Sequence, residues 1–157
     1  MRRNIILLPL LFVVTFPLWP QGNMDSQDDA VSYIGLTLTD LYQRFGTPKS
    51  VYSSRGLEEW QDDVVFVYDQ GDFYIYKDHV WQAGLKTMYG ISVGDTRAQV
   101  NMVLSVNSLT NSPPPAIEVQ GNSIFCSLPD KAWPMTLRCD FDSAGIVQAI
   151  FIYRTDL

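Results

Sequence analysis

Residues able to do covalent or acid–base chemistry are sparse in this chain and poorly spaced for it. There is one histidine, His79, in a turn-like Asp78-His79 pair, and there are two cysteines, Cys126 and Cys139. A thiolate nucleophile needs a neighbouring base, and no second histidine is present to supply one. Neither a Gly-x-Ser-x-Gly elbow nor a phosphate-cradling glycine loop occurs. Glu58, Glu59, Asp62, Asp63, Asp69, Asp72 and Asp78 are dense enough to raise paired-carboxylate or metal chemistry. They scatter over loops and turns, however, where solvated acids are the rule. Asp140-Phe141-Asp142-Ser143-Ala144-Gly145 imitates the start of a calcium loop, but its fifth position is Ala144 and its twelfth is Phe151, where a bidentate Glu belongs. A hairpin turn is expected there. No enzymatic activity, metal or cofactor is expected, and attention passes to aromatic residues standing beside charges.

The 157-residue chain is 46% hydrophobic and 18% charged, with formal net charge −6, an ordinary globular composition. Nucleic acid is not an expected partner, since phosphate recognition needs a basic footprint. Met1-Arg2-Arg3, the short apolar run from Ile5 to Leu18 and the polar, acidic stretch from Trp19 to Ala30 have the anatomy of a secretory signal. A membrane span needs about 20 apolar residues, and this run falls short and contains Pro9 and Pro17. Residues 1–30 therefore read as a signal peptide and short polar segment, and the mature chain as a periplasmic or secreted protein without a membrane span. In that oxidising setting Cys126 and Cys139 lie in strand-like stretches joined by Pro129-Asp130-Lys131-Ala132-Trp133-Pro134. A hairpin placing them opposite one another favours a disulfide.

The elements that must position these residues come in two sets. Gly35-Leu36-Thr37 through Gly46 can be laid over Gly94-Asp95-Thr96 through Ser105, each a helix start. Thr37 with Asp40, and Thr96 with Gln99, form capping boxes. Leu38, Leu41 and Phe45 supply one apolar stripe, and Val100, Val103 and Leu104 the other. Gly46 and Pro48 stop the first helix. Four strand-like runs follow each helix, punctuated by Arg55-Gly56, Gln70-Gly71 and Asp78-His79, then by Gly121-Asn122 and Ser143-Ala144-Gly145. This predicts an α+β fold, in which two tandem helix-plus-antiparallel-meander repeats, residues 31–88 and 89–157, form one sheet with helices on one face.

Val93-Gly94-Asp95-Thr96-Arg97-Ala98-Gln99-Val100 and the Gly35-Leu36-Thr37 box resemble the helix signature of the β-lactamase inhibitory protein family. That tandem-repeat family is related to the SmpA/OmlA (BamE) outer-membrane assembly lipoproteins. Gly71-Asp72-Phe73-Tyr74-Ile75-Tyr76 is similar to the inhibitor's Gly-Asp-Tyr-Tyr-x-Tyr hairpin. The resemblance spans about Tyr33 to Tyr153. It implies a hairpin aspartate and adjacent aromatics that enter an enzyme's active site, here Asp72, Phe73, Tyr74 and Tyr76, with a concave sheet face supplying the rest. The first repeat lacks the inhibitor's cysteine pair and the chain lacks a lipobox.

Local geometry adds one further residue. A tight turn at Gln70-Gly71 sets Asp72 where a strand emerges, with Phe73 and Tyr74 pointing to opposite faces. The Pro129–Pro134 loop is the corresponding hairpin of the second repeat and offers Trp133, so both repeats are expected to present an anchor on the same edge. The expected function is non-enzymatic protein binding. The partner would be a periplasmic or secreted enzyme such as a β-lactamase, or alternatively an envelope-assembly complex.

Overall fold

The computed structural model describes residues 31–55, 62–107, 116–128 and 133–157. The leader, Glu58, Glu59 and most of the Pro129–Pro134 loop lie outside the described residues. Helix α1 (Leu38–Phe45) begins as its capping box dictates: Asp40 N–H donates to Thr37 Oγ1 at 3.1 Å, and Asp40 Oδ2 accepts from Thr37 N–H at 2.9 Å. It stops at Gly46, which takes φ +76° and donates its N–H to the Tyr42 carbonyl. Helix α2 (Arg97–Asn107) repeats the start with Thr96 and Gln99, at 2.8 and 3.3 Å. The residues before each helix are clamped alike. Gly35 and Leu36 exchange backbone hydrogen bonds with Val80, and Gly94 and Asp95 exchange them with Val147, all at 2.8–2.9 Å. Gly35 and Gly94 have φ of +89° and +99° at this bend, a conformation that glycine adopts without steric cost.

The strands are β1 (Ser50–Ser54), β2 (Asp63–Val67), β3 (Gly71–Tyr76), β4 (His79–Leu85), β5 (Thr87–Met88), β6 (Ile91–Ser92), β7 (Ile117–Gln120), β8 (Ser123–Leu128), β9 (Met135–Phe141) and β10 (Val147–Arg154). Eight of them form one antiparallel sheet in the order β1-β2-β3-β4-β10-β9-β8-β7, while β5 and β6 make a separate two-stranded ribbon. The last strand, β10, inserts beside β4 at the centre and fuses the two halves.

These observations correct the expected fold class. The molecule is a predominantly antiparallel β-sheet carrying two short helices of 8 and 11 residues, not an α+β stack of two helix-plus-meander repeats of the inhibitory-protein type. The physical reason lies in where burial comes from. The core is built chiefly by strand side chains, among them Phe73, Ile75, Val80, Leu85, Ile124, Leu137, Val147, Ile150 and Ile152. The helices add Leu41, Val100 and Leu104. Helices this short leave both edge strands uncovered, and every residue of β7 is exposed.

The cysteine expectation is also corrected, because both thiols are free and buried. The β8–β9 register sets Cys126 opposite Leu137 and Cys139 opposite Ile124, so the two are diagonal neighbours. Diagonal positions lie roughly 7–8 Å apart, beyond the ~4.4–6.8 Å Cα separation a disulfide spans. Burial pushes the Cys126 thiol up, and burial with the nearby Asp140 charge pushes Cys139 to about 12. Both are thus inert neutral thiols at neutral pH. Native protein is expected to resist a thiol reagent at about pH 8, and the unfolded, unreduced chain to titrate two thiols. Finding none after unfolding would restore the bridge.

Candidate interaction face

Register decides which side chains share a face. One rung runs Phe66, Phe73, Ala83, Ile152, Leu137 and Cys126 across β2, β3, β4, β10, β9 and β8, and it points into the core beneath the helices. The neighbouring rung runs Tyr52, Val65, Tyr74, Gln82, Tyr153, Thr136 and Ser127. It points the other way, to a face with no described layer upon it. Val65 is fully buried yet stands outside the core cluster, so side chains on this second face shield it.

The open face holds a linked set of aromatic and charged groups. Tyr74 meets Phe151 edge-on with ring centres 6.3 Å apart, and Trp81 meets Tyr153 in the same way at 6.5 Å. The Arg138 guanidinium lies 4.8 Å from the centre of the Phe151 ring and donates to Asp140 at 2.7 and 3.1 Å. Trp81 Nε1–H donates to Asp63 Oδ1 at 3.0 Å. Tyr74 is pushed up to about 12, chiefly by burial, with the Tyr52 hydroxyl and the Asp72 and Asp63 charges adding to it. Burial also raises Asp63. A shallow cavity of about 250 Å³ opens on the same face over β7–β10, lined by Glu118, Phe125, Thr136 and Tyr153 among others.

The five residues expected at the partner surface divide. Asp72, Tyr74 and Tyr76 alternate along β3 on the open side, with Tyr76 exposed at its end. Asp72 pairs with Gly84, where a Cβ would lie 3.1 Å from the Phe151 ring; the missing side chain leaves room for that ring. Phe73 is corrected. It is fully buried, packed among Tyr33, Phe45 and Tyr68 with ring centres 5.5–5.7 Å away.

Trp133 is corrected in position. It is 40% exposed, but it covers the Arg154 guanidinium at 3.9 Å and lies beside Gly35, near the start of α1. The register puts Leu128 and Met135 at the His79 end of the strands and the Gln70-Gly71 turn at the opposite end. The two expected anchors therefore do not share an edge.

Tyr52, Trp81, Arg138, Phe151 and Tyr153 are members of the face that sequence reading missed, and Asp63, expected in a loop or turn, stands in β2. A register shift between Tyr74 and Ile75 leaves Trp81 as the extra residue of β4, so strict alternation fails to place Trp81 and Gln82 on one side. The calcium-like segment is the β9–β10 turn, where Asp142 Oδ1 accepts from the Ala144 and Ile146 N–H groups at 2.9 Å.

No family model and no curated protein matches the chain. Among solved structures it is similar to an extracellular protein containing a SCP domain from Bacillus anthracis str. Ames. The TM-score is 0.52 at 16% sequence identity, over 91% of this chain and 50% of that one. The chain thus spans about half the length of that protein. The likeness concerns the fold alone. No helix among the described residues is long and apolar enough to cross a membrane.

Proposed function

We propose that this chain is an exported, non-catalytic protein-binding module whose partner docks on the open sheet face, with Asp72 near one end of it and Tyr74, Trp81 and Tyr153 toward its middle. The observation that carries the reading is the face itself. The helices pack on the other side, while this side gathers tyrosines, a tryptophan and fixed charges, the composition of interface hot spots. Export is supported by the leader-like residues 1–30 and by the extracellular nature of the structural neighbour. A non-catalytic role is supported by the chemistry on hand. Both thiols are buried, and the exposed His79 ring engages the Lys77 carbonyl at 2.9 Å.

The test is quantitative capture from the envelope and culture-fluid fractions of the native host, using wild-type bait and a Tyr74→Ala, Tyr153→Ala bait of verified fold. The partner captured by wild type is expected to bind the double variant at least about 30-fold more weakly, the equivalent of ~2 kcal/mol. Equal capture by both baits overturns the reading.

A further inference from the structure

The open face has an uneven charge balance. Arg138 is neutralised by Asp140, whereas Asp63, Asp72 and Glu118 form no ion pair among the described residues. Among these three, Asp63 is the carboxylate bonded to an aromatic side chain of the face. It is half-buried, and the one side-chain hydrogen bond of its carboxylate among the described residues is from the neutral indole N–H of Trp81. Removing a carboxylate from water without a cation is costly, and here burial has already driven its proton affinity up.

Aromatic residues lie on the rungs next to this carboxylate. Asp63 precedes Val64, which pairs with Ile75, so the next rung leads to Tyr76. Tyr52 and Tyr74 lie along the adjacent Val65 rung, and Trp81 closes the side toward β4. A carboxylate with aromatic residues beside it can hold an ammonium or guanidinium group by a charge-assisted hydrogen bond, to which a neighbouring ring adds cation–π attraction. The ammonium of the adjacent Lys77 rests 4.9 Å from the centre of the Tyr76 ring, a cation on an aromatic ring at the rim of this cluster. The net charge of −6 favours encounter with a basic surface.

We infer that the Asp63–Trp81 pair, with Tyr52, Tyr74 and Tyr76 on the neighbouring rungs, is the site at which a basic partner seats an arginine or lysine side chain. This rests on the protein-binding reading above and specifies its partner as one with a positively charged docking surface.

The experiment needs no identified partner. A capped Gly-Arg-Gly peptide is titrated into ¹⁵N-labelled full chain while the indole N–H resonances are followed, with the citrulline peptide as the uncharged isostere. The Trp81 indole signal is expected to shift saturably with the arginine peptide and to stay in place with citrulline, and the Trp133 signal to stay in place with both. Asp63→Asn, which keeps an oxygen for the Trp81 N–H, is expected to weaken the shift at least about tenfold, and Glu118→Gln to leave it unchanged. The inference is overturned by an absent shift, by an equal response to citrulline, or by an equal response in Asp63→Asn. A partner whose capture depends on Tyr74 and Tyr153 but not on Asp63 leaves the binding function standing and removes the cation site. A saturable arginine site without face-dependent capture does the reverse.

Discussion

Phe73→Ala is expected to cost about 3–5 kcal/mol of folding stability, read as a fall in the urea midpoint at unchanged slope. The ring is completely buried, stacked on Phe45 at 5.5 Å and edge-on to Tyr33 and Tyr68. Its removal therefore opens a cavity where α1, the segment before it and β3 converge, and aromatic pairs contribute beyond their buried area. The adjacent Tyr74→Ala is expected to cost roughly 1 kcal/mol, because the Tyr74 ring is only half-buried, packing edge-on to Phe151 with the Tyr52 hydroxyl beside its own. The contrast between neighbours is the diagnostic result. Equal costs would mean that the two faces of β3 are not as distinct as the register makes them.

Gly71→Ala is expected to be of comparable size, at least about 3 kcal/mol, for a different reason. A Cβ built there falls 2.1 Å from the Gly84 carbonyl oxygen and 3.0 Å from Leu85 Cδ2. The oxygen is backbone, so relief requires parting β3 from β4 where Gly71 faces Leu85 and Asp72 faces Gly84. Gly46→Ala supplies the control. Its φ of +76° and ψ of −145° strain an alanine, but no atom lies within 4 Å of the new Cβ, so a loss of about 1–3 kcal/mol, from backbone strain alone, is expected. Thermal or urea unfolding of the pair checks this, and a Gly71→Ala loss no larger than that of Gly46→Ala would contradict the close approach of the two backbones.

How much of this was legible in the sequence depends on the range of the signal. The Thr37–Asp40 and Thr96–Gln99 boxes and the Gly46 stop involve groups within four residues of each other, and each appears as written. The strands also fall where alternation and turn residues put them. The β5–β6 ribbon was missed, although Tyr89-Gly90, both at positive φ, is a two-residue turn signal. What local patterns do not carry is proportion and register. Two strong helix starts gave the helices more weight than 8 and 11 residues can sustain against an eight-stranded sheet. The cysteines were set opposite one another because nothing in their spacing reveals a two-residue offset. Simple alternation puts Tyr74 and Tyr76 on one side of β3 and Phe73 on the other, whereas Trp81 needed the bulge in β4 and Trp133 needed the strand directions. Those follow from pairings between residues far apart in the chain.

The claim that a partner covers the open face is tested most directly by hydroxyl-radical footprinting of the complex against the free chain, read residue by residue by mass spectrometry. Tyr42 and Met102, 62% and 68% exposed on the helices, serve as reporters of the opposite side. Binding is predicted to suppress oxidation of Tyr52, Tyr74, Trp81 and Tyr153 while Tyr42 and Met102 oxidise as before. Protection of Tyr42 and Met102 with the open-face aromatics unchanged would contradict it.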